Sequence, residues 1–414
     1  MADKIKVGVV GVGRGAGFAK GAGELVGMEL VAICDKWEEK LKKLGDELGV
    51  TTYTDYDKFL EHDMDAVILA NYFHQHAPFA IKALKAGKHI MSETTACFTI
   101  AQGVELIREV EKSKKIYMFA ENYPYMVFNQ EMRRLYKAGK VGEFMYGEGE
   151  YVHPMSADGA NSLSPGINHW RNWIPATYYC THSLAPIMFI TETMPVKVNG
   201  FVITRRKDDP RNNRDVKRQD MASMIALRMD NGAVVKLLQY GLRGHGVWVR
   251  IHGSQGLMEN LRHGTRNMLR IVREQYHEKI TEPIEQTYAP NFPAFADIAK
   301  KAGHGGGDFF MNYHFAEAIR KGKQPFLDVY RGVAMSCVGI LAYRSALNDS
   351  NTLDIPDFRK ETVRKKYEND HWSPDPTQRK KGDPWPSILG NIKPTKKGMA
   401  YAKKIWKKNG YTGE

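Results

Sequence analysis

Cysteine is scarce in this chain: Cys34, Cys97, Cys180 and Cys337 are the only 4 in 414 residues, and they form no C-x-x-C pair. That spacing excludes a disulfide frame or a clustered thiolate site and fits neutral thiols in a reducing compartment. An H-E-x-x-H stretch is also missing, so no metal is expected. Long apolar runs are absent as well. None approaches the roughly 18 residues that a membrane span needs, and no membrane partner is expected. Acidic residues are outnumbered, 47 Asp and Glu against 60 Lys and Arg, for a formal charge of +13. Much of the excess lies near the end, as in Arg379-Lys380-Lys381 and Lys403-Lys404. Such runs read as a solvated basic face, so nucleic acid is not an expected partner. The sequence as given opens Met-Ala-Asp-Lys and runs straight into an apolar segment. The expectation is a cytoplasmic protein, or a periplasmic one where a leader has been removed.

What is present is organised in two parts, as the length allows. Up to Asn122, short apolar runs alternate with helical stretches. Val7 to Val10, Leu30 to Cys34, Ala66 to Ala70, His89 to Ser92 and Ile116 to Ala120 are predicted strands. Ala77 to Ala86 is a predicted helix closed by Gly87. Residues 1–122 are therefore expected to form an α/β domain with a doubly wound parallel sheet. After the first strand comes Gly11-Val12-Gly13-Arg14-Gly15-Ala16, a G-x-G-x-x-A pattern, and the second strand ends at Asp35. Gly11 allows a sharp turn, Gly13 lets backbone approach a pyrophosphate, and a carboxylate at Asp35 accepts both ribose hydroxyls of NAD while repelling the extra phosphate of NADP. The other strand ends carry Asn71, Glu93 and Glu121-Asn122, where ligands of such sheets bind.

Residues 123–414 read as a substrate-binding and oligomerisation domain of α+β type. A helix, Met126 to Ala138, precedes predicted strands at Glu143 to Val152, Val196 to Thr204, Ser223 to Met229, Ala233 to Gly241 and Val247 to Ile251. Strands without intervening helices predict a mainly antiparallel sheet. Helices at Asp308 to Lys321 and Gly332 to Leu347 follow, and the basic tail from about Glu361 reads as irregular.

The segment His76-Ala77-Pro78, Ala83-Leu84-Lys85-Ala86-Gly87-Lys88-His89 and Ser92-Glu93 resembles the Gfo/Idh/MocA family of sugar and inositol dehydrogenases. Two departures stand out. Those dehydrogenases follow the glutamate with a catalytic lysine, where this chain has Thr94-Thr95. They also place an aspartate four residues before the histidine; here that position is Tyr178, while the histidine remains as His182. The replacements are similar to those of the family's NAD-dependent glycoside hydrolases, of the α-N-acetylgalactosaminidase type. The resemblance rests on Glu121-Asn122, Glu150-Tyr151-Val152-His153, Trp170-Arg171, Tyr179-Cys180-Thr181-His182-Ser183-Leu184-Ala185-Pro186 and His304-Gly305-Gly306-Gly307-Asp308. Ser183 and Ala185 stand where those enzymes carry glycines, which leaves the sugar preference open.

This resemblance implies a glycosidase that oxidises C3 of its sugar with NAD, deprotonates C2, eliminates the aglycone, adds water and reduces C3 again. Groups that titrate near neutrality suit such proton transfers better than a carboxylate pair. The catalytic candidates are Tyr151 and His153, which share a strand face, and Tyr179 and His182, which converge if their segment is helical. Which of them serves C3 and which C2 stays open. Trp170, Arg171 and His304 are expected at the substrate. Gly11, Gly13, Arg14, Gly15, Asp35, Asn71, His76, Glu93, Asn122 and Trp170 are expected at the cofactor, NAD. Partners are a carbohydrate and further copies of the chain, as a homodimer or larger even assembly. The alternatives are a plain NAD-dependent sugar or cyclitol dehydrogenase working through His182, and a non-catalytic NAD- or sugar-binding protein.

Overall fold

The computed structural model describes residues 4–21, 23, 26–244, 246–263, 267–274, 282–411 and 413. The first sheet has six strands: β1 Ile5–Val10, β2 Met28–Cys34, β3 Thr51–Tyr53, β4 Ala66–Leu69, β5 His89–Glu93 and β6 Tyr117–Ala120. All pair in parallel, in the order β3-β2-β1-β4-β5-β6. Every residue of the central strand β4 is buried, and so is every residue of the edge strand β6, whose Tyr117 and Phe119 amides donate to Gln324 and Leu327. The order reverses between β1 and β4, which opens a crevice beyond their carboxyl ends. β3 has no counterpart among the predicted strands. It is a three-residue edge strand with two exposed threonines, too short to show a period.

The second sheet has nine strands. They are β7 Phe144–Val152, β8 Pro195–Ile203, β9 Ala222–Met229, β10 Val234–Tyr240, β11 Gly246–Gly253, β12 Gly256–Asn260, β13 Leu269–Arg273, β14 Glu285–Tyr288 and β15 Leu353–Asp354. The sheet is antiparallel except where β10 runs parallel to β7. Its inner face packs on the helices Thr181–Thr191 and Val329–Ala346. Contact there is so close that a Cβ on Gly149 would lie 2.1 Å from the Ser183 carbonyl oxygen. Every residue of the Thr181–Thr191 helix is buried, including Pro186 within it. The tail read as irregular contains two helices, Glu361–Tyr367 and Lys396–Lys408. Clustered lysines hid the second one: its buried face is only Gly398, Ala402 and Trp406, seated against Val216.

By alternation from Gly149, the opposite sheet face presents Glu148 and Glu150. A ladder of ion pairs crosses it: Glu148 meets Lys236, Arg250 meets Glu259 at 2.7 Å, and Arg270 bridges Glu259 and Glu285 at 2.9 and 2.7 Å. Phe201 and Ile203 project from the exposed part of β8, at 44% and 36% exposure. A broad sheet face with half-buried side chains and no second layer among the described residues is suited to pairing with its own copy, and we propose that subunits associate there. Light scattering is expected to give twice the chain mass or a larger even multiple. A concentration-independent monomer mass would exclude the association.

Candidate active site

The glycine turn after β1 shapes one wall of the crevice. Gly11 has φ +100°, and a Cβ there would lie 2.4 Å from the Ala70 carbonyl oxygen, so glycine is required. At Gly13 a Cβ would meet nothing within 4 Å, which leaves bare backbone facing open space. Gly15 begins the next helix against Val9, where a Cβ would come within 2.9 Å of Cγ1. Close helix–strand packing thus falls on Gly15 rather than Ala16. The Asp35 carboxylate accepts from the Val12 and Trp37 amides, each at 2.8 Å, and is thereby fixed beside the turn.

Buried polar atoms form the rest of the crevice. Both amide atoms of Asn71, Oε2 of Glu121 and Oδ1 of Asn122 have no hydrogen-bond partner among the described residues. Unpaired buried groups are costly in a protein interior, and at strand ends they are the groups a polar ligand satisfies. A dinucleotide fits this donor and acceptor set, with Gly11 and Gly13 at its pyrophosphate and Asp35 at its ribose. The His76 ring lies behind Asn71, with its nitrogens 3.0 Å and 3.3 Å from the carbonyl oxygens of Thr95 and Asn71. Burial lowers its pKa, so it braces the ends of β4 and β5 as a neutral ring.

Arg14 spans the two domains. Its Nε donates to Glu93 at 2.7 Å, and its terminal nitrogens donate to both Asp308 oxygens at 3.0 and 2.8 Å. Asp308 also meets His304 Nδ1 at 3.0 Å and Asn122 Nδ2 at 3.3 Å. Burial alone would push the Asp308 carboxyl up, but the bonds from His304 and Arg14 hold it well below the usual carboxylate range. His304 therefore belongs to this clamp and stands off the cavity wall that carries Arg171 and Tyr179.

The catalytic candidates gather where the Thr181–Thr191 helix begins. His182 Nδ1 lies 2.6 Å from Glu121 Oε1, and the Glu121 carboxylate is fully buried. Tyr123 stacks on the imidazole at 4.5 Å, while Tyr151 and Tyr179 meet it edge-on at 4.6 and 5.0 Å. Burial pushes the Tyr151 phenol well above its ordinary pKa, with Arg171 acting in the opposite direction. His153 is farther out and exposed, its ring 5.6 Å from Tyr151. Trp170 stacks on Phe73 at 4.8 Å and carries the Arg171 guanidinium over its ring at 4.2 Å. Tyr151, His153, Arg171, Tyr179, Lys217 and Tyr240 line a common cavity.

The sequence departures now have physical addresses. Tyr178 turns away from His182 and packs on Phe98 and Tyr343 at 5.3 and 6.4 Å, so it is a core residue. Glu121 supplies the carboxylate instead, from the first domain. Thr94, at the position of the usual lysine, is buried and hydrogen-bonded to the Thr181 hydroxyl at 2.7 Å. Ser183 and Ala185 are buried in the helix packing, Ser183 bonding the Cys180 carbonyl at 2.9 Å, and neither lines the cavity. The sequence marked Glu121 as a strand-end acid, but its partner lies 61 residues away in the other domain. Tyr240 carried a weaker signal, pairing in register with Val152 at the end of β7. Nothing local marked Lys217. Among the described residues, no three His, Cys, Asp or Glu side chains are grouped to hold a metal ion.

A parallel sheet with this glycine turn, whose last strand brings a carboxylate onto an imidazole of the second domain, defines an NAD-binding enzyme of the Gfo/Idh/MocA class. Residues 5–121 match the model of the oxidoreductase family with an NAD-binding Rossmann fold, and residues 129–365 match the glycosyl hydrolase 109 C-terminal domain. The chain belongs to the glycosyl hydrolase 109 family, and its cofactor is NAD. It is 26% identical over 398 residues to an alpha-N-acetylgalactosaminidase of Shewanella oneidensis, covering 86% of this chain and 85% of that relative. Glycosyl hydrolase family 109 protein 1 of Shewanella sp. strain ANA-3 is 26% identical over 397 residues, with 86% and 85% covered. The fold is shared with levoglucosan dehydrogenase in complex with NADH, at TM-score 0.73 and 19% identity, over 86% of this chain and 100% of that one.

The position of Asp35 predicts that Asp35→Ala loosens NAD more than NADP, as titrations with each dinucleotide will measure. Equal weakening of both, or a native preference for NADP, would show that the carboxylate does not face the ribose.

Proposed function

We propose that the protein is an NAD-dependent glycoside hydrolase that cleaves its substrate through transient oxidation at C3. The observation that carries this reading is the make-up of the cavity wall. The Tyr151 and Tyr179 phenols and the His153 imidazole stand together there, with His182 packed against both phenols, whereas both carboxylates on the wall are engaged elsewhere. Asp215 is paired bidentately with Arg205 at 2.7 and 3.1 Å, and Asp220 accepts from Ser387 and the Ile388 amide at 2.7 and 3.1 Å. Direct hydrolysis by two carboxyl groups flanking the anomeric carbon finds no free pair among them.

NAD, when bound, supplies reversible oxidation at C3, which makes the C2 proton acidic while the ketone lasts. His182, held at Nδ1 by Glu121, moves the proton of the C3 hydroxyl at Nε2. The phenols of Tyr151 and Tyr179 are placed to take the C2 proton and to protonate the departing aglycone oxygen. Water then adds at C1, a proton returns to C2, and reversal of the C3 oxidation, with His182 giving the proton back to the C3 oxygen, leaves no net redox change. Trp170 and Arg171 form a flat, cationic shelf for the ring. The name of the Shewanella oneidensis relative makes N-acetylhexosaminides the first substrates to try.

The Glu121–His182 pair would equally serve a plain sugar or cyclitol dehydrogenase, and the fold shared with levoglucosan dehydrogenase supports that second reading. Sustained NADH formation from a free sugar favours it, and aglycone release without net NADH favours the hydrolase. Saturable sugar binding with neither outcome would indicate a binding protein.

Hydrolysis in deuterated water is expected to give product labelled at C2. His182→Ala and Tyr179→Phe should each lower activity by ~10²–10⁴-fold while NAD stays bound, the usual contribution of positioned proton transfer. Glu121→Gln, which keeps a hydrogen bond but removes the charge behind the imidazole, should also lower kcat. Unlabelled product, or full activity after complete removal of NAD, would overturn the mechanism.

A further inference from the structure

The cavity wall is unevenly charged. Four cations reach it, Arg171, Arg205, Arg211 and Lys217, but two of these are neutralised. Arg205 is held by Asp215 at 2.7 Å, and Arg211 by Asp209 at 2.5 Å. Arg171 and Lys217 make no ion pair with any carboxylate among the described residues. They are also adjacent: the Lys217 ammonium donates to the Arg171 carbonyl oxygen at 2.7 Å, and Gln219 donates to the same oxygen at 2.9 Å. The Arg171 guanidinium rests on Trp170 and beside the Tyr179 ring, groups that orient a cation without neutralising it. Asp220, the remaining acid on the wall, points its oxygens at Ser387 and the Ile388 amide.

Two like charges side by side in a partly desolvated wall repel each other, and a folded chain normally supplies a carboxylate between them. Here Asp209 is taken by Arg211 and Asp215 by Arg205, so the nearest carboxylate to the inner cations is shared and neither has an ion-pair partner of its own among the described residues. Burial pulls the Lys217 ammonium down to about 7, with Asp215 opposing the fall and the neighbouring Arg171 and Arg205 adding to it. Arg171 offers a planar set of donors and Lys217 a point charge, a combination suited to a carboxylate or a sulfate ester.

We propose that the sugar bound here carries an anionic ring substituent, held by Arg171 and Lys217. The inference rests on the reading of this cavity as the sugar site, and it narrows the substrate class from neutral glycosides to acidic ones.

Calorimetric titration of the NAD-loaded protein with a hexose, its hexuronate and its 6-sulfate tests binding apart from cleavage. One or both anionic sugars should bind at least about tenfold more tightly than the neutral parent, the contribution of a charge-assisted hydrogen bond. Whichever anion binds identifies the substituent. Lys217→Met should abolish most of the preference and Lys217→Arg should retain it. Equal affinity for all three sugars, or a preference that survives Lys217→Met, would overturn the proposal. The hydrolase reading has its own readout in the C2 label of a cleaved neutral glycoside, so either reading can fail while the other stands.

Discussion

The contact between Glu121 and His182 is the constraint on which most of the site depends. Glu121 ends β6 of the first sheet and its carboxylate is fully buried, a position that an ionised acid occupies only with a partner. The partner comes from the second domain, 2.6 Å away, on the first turn of a wholly buried helix. Deleting either group leaves the other buried without its hydrogen-bond partner, a loss of about 1–3 kcal/mol. Because that bond must form, the helix start, the Tyr123 turn and the end of β7 are held in mutual register. The imidazole is then oriented by the carboxylate on one side and by three aromatic rings around it.

A second set of contacts ties the same two domains together on the cofactor side. Arg14, from the glycine turn, reaches Glu93 in its own domain and Asp308 in the other. The tail adds a third tie. Arg364 pairs with Glu111 of the first domain, Arg344 holds Asp370, Ser387 holds Asp220, and Tyr411 packs on Trp37 at 6.1 Å. Trp37 follows Asp35 closely, so Tyr411 lies near the position assigned to the ribose. A tail that looked like a solvated basic appendage is therefore part of the frame around the crevice.

The exchange of acid and base groups is coherent once both domains are in view. Where the dehydrogenases have an aspartate four residues before their histidine, this chain brings a glutamate from the opposite domain and puts Tyr178 into the core. Where they have a lysine, it has a threonine bonded to a threonine. The net change removes an ammonium from the reacting centre and keeps an imidazole–carboxylate pair among phenols. An ammonium and an arginine, Lys217 and Arg171, lie farther out on the cavity wall, in no ion pair among the described residues.

The sheet of the first domain was legible because its determinants are local. Runs such as Val7 to Val10 and Ala66 to Ala70, Gly11 at a forced positive φ, and Asp35 after a strand each report on residues nearby in the chain. The resemblance likewise brought Tyr151, Tyr179, His182, Trp170 and Arg171 to one neighbourhood, since short motifs carry them. The chain alone also fixed that Thr94 and Tyr178 depart from the dehydrogenase pattern. It did not reveal that Glu121 pairs with His182, that Arg14 and His304 share Asp308, or that the Lys217 ammonium bonds the Arg171 carbonyl oxygen. Those facts depend on which elements pack together over long separations, and neither charge pattern nor periodicity encodes that distance. Only the packing of the two sheets around one helix brings these groups within bonding reach.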